Sequence, residues 1–323
     1  MNWKSFPKIE LHLHLEGAAD PAFIRTLAAE KSLDISRIFD KNGNYKFDGF
    51  SEFLTVYENA TQALQSPEDF KRLTQSVLEN LAENNVIYAE VFISPDFCGD
   101  RDLGAWREYL AAMREAHVEG VTLKGIVTCI RHFGPEKARE AALCAVETAG
   151  DWVVGFGMAG AENFGRARDF SYSFDMAREA GLRLTSHAGE WCGAASVWET
   201  LKELRVERIG HGVHSINDPK LVEHLAETGV ALEINPGSNV ALGVYPSWID
   251  HPMKRLRDAG VKVTVSTDDP PFFGTTMTRE FEELESAYGW GIEDFKLLNE
   301  TALEVAFCDL ATKDVIAKRL DAL

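Results

Sequence analysis

The stretch Val263-Thr-Val-Ser-Thr-Asp-Asp-Pro-Pro271 decides the fold. A mostly β-branched run leads straight into two adjacent carboxylates, and two prolines then forbid further pairing. Such a run, without polar alternation, reads as a parallel strand buried on both faces, ending at about Asp269. Two aspartates at the carboxyl end of a buried strand are costly to desolvate unless a cation or hydrogen-bond donors meet them. The partners on offer are histidines, each at the end of another strand-like run.

Working outward, the same unit recurs: a short β-like run, then a helical stretch. The runs are Lys8–Leu15, Val86–Ile93, Thr122–Ile130, Trp152–Met158, Arg183–His187, Arg208–Val213, Val230–Ile234 and the opening stretch. Helices are expected near Pro21–Lys31, Leu103–Glu119, Pro135–Ala149, Phe170–Ala180, Ala194–Leu204, Pro219–Glu227, Pro252–Ala259 and from Met277 onward. Eight strand–helix units over residues 1–323 predict one (β/α)8 TIM barrel, ahead of an open doubly wound sheet. One segment breaks the rhythm. Residues 32–85 form an insertion after the first strand, with Phe47, Phe50, Phe53, Leu54 and Tyr57 at mixed one-turn spacing and a helix over Pro67–Glu83. It reads as a helical insertion packed on the barrel flank, and its position also allows part of it to cover the mouth as an apolar lid.

Composition narrows the function classes. A formal charge of −18 over 323 residues argues against nucleic acid and anionic membranes as partners, because both need a positive face. No basic-then-apolar leader opens the chain, and no stretch approaches the ~18 apolar residues of a spanning helix. Cys98, Cys129, Cys144, Cys192 and Cys308 are odd in number and scattered, as expected of thiols in a reducing cytoplasm.

His12 and His14 lie two apart on the first strand and so share a face, a spacing that suits a divalent metal. His187 ends the fifth strand in Ser-His-Ala-Gly-Glu190, His211 ends the sixth, and Asp268 and Asp269 end the eighth. All strand carboxyl ends of a barrel open on one face, so four separate segments deliver His, Asp and Glu to one mouth. A bridged metal pair needs a further anionic ligand, and the fourth run has no Lys, Asp or Glu to supply it. One ion is therefore expected, held by His12, His14, His187 and one aspartate, with Glu190, His211 and the other aspartate free for proton transfer. Glu90 and Glu233 alternate with apolar residues and read as structural, His214 as a residue just past its strand, and His117, His132, His224 and His251 as solvated or capping. Gly155–Gly160 lacks dinucleotide-loop spacing, and there is no phosphate-binding GxxxxGK[ST] or nucleophile-elbow GxSxG.

With these residues in place, the sequence resembles the adenosine/adenine deaminase family of the amidohydrolase superfamily. The matching motifs are Leu11-His-Leu-His-Leu-Glu-Gly17, Met158-Ala-Gly-Ala-Glu162, Ser186-His-Ala-Gly-Glu190, Arg208-Ile-Gly-His-Gly-Val213 and Thr267-Asp-Asp-Pro270, in the family's order and over nearly the whole chain. The resemblance implies a zinc-dependent aminohydrolase of purine metabolism with one zinc per chain, held by His12, His14, His187 and Asp268. It implies Glu190 as a protonated carboxyl at purine N1, with His211 and Asp269 orienting and deprotonating the attacking water. It also implies substrate contacts from His14, Glu16, the Gly160 backbone and Asp269. Glu16 stands where mammalian-type adenosine deaminases carry an aspartate, as in the family's adenine deaminases, whereas Thr267–Met277 looks closer to bacterial adenosine-type sequences. The expectation is deamination of adenosine or 2′-deoxyadenosine to the inosine product and ammonia, with adenine as the alternative substrate. Other classes are a two-metal amidohydrolase and a non-catalytic purine-binding barrel.

Overall fold

The computed structural model describes residues 1–321. Eight strands pair in parallel and in chain order: β1 (Lys8–His14), β2 (Val86–Ile93), β3 (Thr122–Ile130), β4 (Val153–Ala159), β5 (Arg183–Ala188), β6 (Arg208–His211), β7 (Ala231–Ile234) and β8 (Val263–Val265). Helices cover the outside, as the βα alternation requires. The ring closes between β8 and β1, where the Asp268 N–H donates to His12 O at 3.1 Å and the His14 N–H donates to Asp268 O at 3.0 Å.

Strand cores fall where the apolar runs place them, but two strand ends do not. β8 stops at Val265 rather than near Asp269. Ser266 Oγ accepts the Leu11 and His12 N–H groups at 3.1 Å each, substituting for the ladder, and Asp268 turns to φ +66°. β6 stops at His211 rather than Val213, because His211 (φ +58°) and Gly212 (φ +66°) both leave the extended region.

The insertion divides in two. After α1 (Pro21–Glu30), capped by Asp20, come α2 (Gly49–Thr61) and α3 (Pro67–Glu83), the latter capped by Ser66 with Pro67 in its first turn. α3 buries Phe70, Leu73, Val77, Leu78 and Leu81 on the barrel flank, next to the helix Leu103–Glu115. α2 instead turns Phe50, Phe53, Leu54 and Tyr57, spaced three and four apart, toward the barrel mouth. α3 thus lies on the flank, while α2 lines the cavity at the mouth. Among the described residues, no helix is long and apolar enough to cross a membrane.

Deeper in the barrel, Arg208 is fully buried between two carboxylates. Its Nε donates to Glu233 Oε1 at 2.5 Å, and its Nη2 meets Glu90 Oε2 at 2.7 Å as an ion pair without hydrogen-bond alignment. The guanidinium also lies 3.5 Å from the Phe307 ring centroid, and Nη1 donates to Val305 O at 3.1 Å. Glu90 Oε1 accepts the Tyr88 hydroxyl and the Phe307 N–H at 2.6 Å each, which pins the segment after the helix Ile292–Val305 against the barrel. Removing the cation alone leaves two carboxylates uncompensated in the interior. Arg208→Ala should therefore lower unfolding stability by about 3–5 kcal/mol, read as a shift in the urea midpoint.

Candidate active site

His12 and His14 point from β1 to the mouth, and His187 comes from β5. Their outer partners fix their inner atoms. His187 Nδ1 lies 2.9 Å from Met158 O, and a carbonyl only accepts, so the proton sits on Nδ1 and Nε2 offers a lone pair. His12 Nδ1 likewise faces Glu233 Oε2 at 2.7 Å, a carboxylate that Arg208 keeps below its ordinary pKa against the opposing effect of burial. The inner nitrogens converge: His187 Nε2 lies 3.1 Å from His12 Nε2 and 3.3 Å from His14 Nε2. Asp268 Oδ1 stands 3.4 Å and 3.3 Å from those two nitrogens, and the four donor atoms all lie within 4.8 Å of one another. Burial opposes charge on His12, yet hydrogen bonds to Asp268 and Glu233 outweigh it and push the ring up to about 9. Three imidazoles and one carboxylate in this spacing fit a divalent ion of zinc's preferences.

Two of these groups hang on unusual backbone. Among the described residues, His211 and Asp268 are the buried non-glycine positions with positive φ. Each such conformation costs about 1–3 kcal/mol, and here it turns a side chain off the end of a strand into the mouth. Ser238 Oγ donates to Asp268 Oδ2 at 2.7 Å, holding the carboxylate's second oxygen.

The remaining acid and base candidates surround the cluster. Glu190 Oε2 and Asp268 Oδ2 each lie 3.7 Å from His211 Nε2. Burial first, then the nearby Asp268 and Glu162 charges, hold the Glu190 carboxyl far above the usual carboxylate range. Burial pushes His211 down to about 3. The Asp269 carboxylate is buried with Oδ1 lacking any hydrogen-bond partner, and burial followed by the Asp268 charge pushes it up. It occupies the space beside Gly17, where a Cβ would stand 1.6 Å from Oδ1. This explains why the first motif ends in glycine.

The cavity above the cluster is roofed by Phe50, Phe53, Leu54 and Tyr57 of α2 and walled by Phe97, Ile130 and Gly160. Gly160 has φ +94°, and a Cβ there would lie 2.7 Å from His132 Nδ1. His132, expected to be solvated or capping, also lines this wall and meets Glu58 Oε1 of α2 at 3.2 Å. Glu16 departs from expectation. It does not line the cavity: its buried carboxylate accepts the Ser94 N–H at 3.2 Å and the Tyr57 hydroxyl at 3.4 Å. Position 16 therefore reaches the cavity only through Tyr57, because its carboxylate already serves the backbone after β2.

Sequence reasoning passed over several supporting residues. Glu162 lay within a motif but received no role. Its carboxylate accepts the N–H groups of Gly189, Glu190 (3.1 Å), Trp191 (2.8 Å) and Cys192 (2.9 Å) and the Ser196 hydroxyl, so it holds the loop that carries Glu190. Glu233, read as structural, also orients a cluster histidine. Asn239 and His251 are buried beside His211. His117 and His224 stay apart from the site, and His214 accepts from Asn217 Nδ2 at 3.1 Å.

A family model described as adenosine deaminase matches residues 7–323. An adenine deaminase of Rhizobium rhizogenes is 45% identical over 97% of this chain and 98% of its own length. One of Agrobacterium fabrum is 46% identical over 97% of each chain. Among solved structures, an adenine deaminase from Arthrobacter aurescens superposes with a TM-score of 0.88 at 28% identity, covering 98% of this chain and 99% of its own. A zinc-bound amidohydrolase from Burkholderia ambifaria does so with a TM-score of 0.85 at 26% identity, covering 99% and 94%.

Metal analysis should return one divalent ion per chain rather than two. Glu233→Gln keeps the side chain's shape but removes the charge behind His12, and should weaken metal binding about 10–100-fold in a chelator competition.

Proposed function

This chain belongs to the adenosine deaminase family, whose members are metal-dependent hydrolytic deaminases, and we propose that its substrate is adenine, converted to hypoxanthine and ammonia. The observation that carries this reading is the buried Glu190 carboxyl, which burial pushes well above the usual carboxylate range, facing the same aromatic-roofed cavity as the four-donor cluster. His12, His14, His187 and Asp268 hold the metal, with zinc the ion their donor set favours. When bound, zinc supplies Lewis acidity that lowers a water's pKa from ~15.7 to about 7.

The chain's own residues do the rest. Glu190 places its proton at purine N1. As the water oxygen bonds to C6, the C6–N1 π electrons move to nitrogen and take that proton. Asp269 offers an unpartnered buried oxygen to receive the water's proton and return it to the departing amine. The C6–N bond then breaks, ammonia leaves, and the proton of the new C6 hydroxyl restores Glu190. His211 stands on the attacking side beside Asp268. The Gly160 backbone and His14 edge the base, and the α2 aromatics exclude water from the ring face.

Adenine, rather than the adenosine expected from the sequence, has two supports. The relatives of highest identity quoted above carry that activity in their names. The acid at position 16 is turned to Ser94 and Tyr57, so the carboxylate just past β1 does not meet a sugar, and apart from Glu58 and His132 the outer walls are apolar. Ribose hydroxyls buried against Phe50, Phe53 and Leu54 would lose hydrogen bonds to water without replacement.

The ammonia-release kcat/KM should be at least ~10-fold higher for adenine than for adenosine; the reverse order would restore the nucleoside reading. Glu190→Gln should lower kcat about 10²–10⁴-fold at unchanged metal content. A carboxyl raised in the fold binds its proton more tightly folded than unfolded, so stability falls as pH rises above its unfolded value of 4.5. Glu190→Gln removes that loss, so its melting temperature should exceed wild type's by more at pH 8 than at pH 5.

A further inference from the structure

His211 has two ring nitrogens, and which one carries the proton decides whether it can accept a proton from the attacking water or only donate a hydrogen bond to its oxygen. A chain of contacts behind the ring settles the question from a fixed end. The Met253 backbone N–H donates to His251 Nδ1 at 3.2 Å. An amide N–H cannot accept, so His251 Nδ1 bears the lone pair and its proton lies on Nε2. Burial holds that ring neutral, pushing it down to about 3. His251 Nε2 lies 3.1 Å from Asn239 Oδ1, which accepts, and this orients the Asn239 amide. Its Nδ2 then faces His211 Nδ1 at 3.1 Å as a donor. His211 Nδ1 must accept.

We infer that His251 and Asn239 are positioning residues that fix the His211 proton on Nε2, making His211 a hydrogen-bond donor to the attacking oxygen and leaving proton abstraction to Asp269. The attack on the ring rests on the proposed deaminase reading, whereas the tautomer does not. Every link is buried: Asn239 is 0% and His251 2% exposed, so no bulk solvent competes for the partners. Each end is also braced. Asn239 O accepts the Val244 N–H at 2.8 Å and the Tyr245 N–H at 3.2 Å, and the Tyr288 hydroxyl donates to His251 O at 2.8 Å. The other amide nearby, Asn235 Nδ2, stands 3.5 Å and 3.4 Å from the two His211 nitrogens and so selects neither. On the cavity side, the 3.7 Å from Nε2 to both Asp268 Oδ2 and Glu190 Oε2 is too long for a hydrogen bond and leaves the Nε2 proton for a ligand atom.

The test is the tautomer itself. Zinc-loaded protein labelled with ¹⁵N-histidine gives long-range ¹H–¹⁵N patterns that distinguish the two neutral forms, with His211 assigned by the signal lost in His211→Asn. The expected pattern near neutral pH is Nε2–H for both His211 and His251; Nδ1–H or imidazolium at His211 overturns the inference. In Asn239→Asp the partner can only accept, so His211 should switch to Nδ1–H. Its kcat for the 6-aminopurine should then fall at least ~10-fold with KM within about threefold, since a wrong-tautomer histidine costs up to ~10⁴ in the serine-protease case. His251→Phe frees the Asn239 amide and should give mixed His211 tautomers and a kcat loss in its folded, metal-loaded fraction; an unchanged tautomer and kcat there would reduce His251 to a packing residue and overturn its part. If wild type turns over no 6-aminopurine, the deaminase reading fails, while the tautomer spectrum still decides the relay.

Discussion

The carboxylate of Glu233 is shared between two demands, and the site depends on that sharing. One oxygen takes Arg208, the cation buried in the middle of the barrel, together with the Thr185 hydroxyl. The other takes His12 Nδ1. Arg208 keeps Glu233 ionised where burial alone would neutralise it, and the ionised carboxylate turns His12's free lone pair to the mouth. An ion pair in the core and the presentation of the His12 lone pair are therefore a single arrangement. The same cation reaches Glu90, which ties β2 to the segment after the helix Ile292–Val305, so the network links the barrel interior to its outer layer.

A second constraint runs around the rim. His211, Glu190, Asp268 and Asp269 sit at or just past the end of a strand, and neighbouring side chains hold the chain there. Ser266 Oγ replaces ladder acceptors at the start of the β8 turn, and Glu10 receives both the N–H and the hydroxyl of Thr267. Glu162 gathers the amides after β5. Polar side chains thus substitute for ladder partners at the points where the chain must leave the sheet to present chemistry.

Much of this was legible in the sequence, for definite reasons. Buried parallel strands read as apolar runs, so Val86–Ile93 and Thr122–Ile130 fall where the pattern puts them. The spacing of His12 and His14 survives folding because strand geometry fixes it. Illegible were the features that tertiary contacts impose. Left-handed backbone at His211 and Asp268 has no local signature in residues other than glycine. The turning of Glu16 to Ser94 depends on a side-chain rotation that spacing does not encode. His251 looked like a loop histidine because its partners come from a one-turn helix 12 residues away in sequence. Adenine and adenosine share the reacting ring, so the motifs that specify the chemistry are silent about the sugar.

The five donors converging on Glu162 set how one wall of the cavity is held. The wall that carries Glu190 is anchored to the barrel and has little freedom to swing. The opposite wall is α2, fastened there by aromatic contacts and by the Glu58–His132 pair. The two walls meet where Phe50 packs on Trp191, with ring centroids 5.0 Å apart. The cavity is thus enclosed by one wall held through buried polar bonds and another held through ring packing.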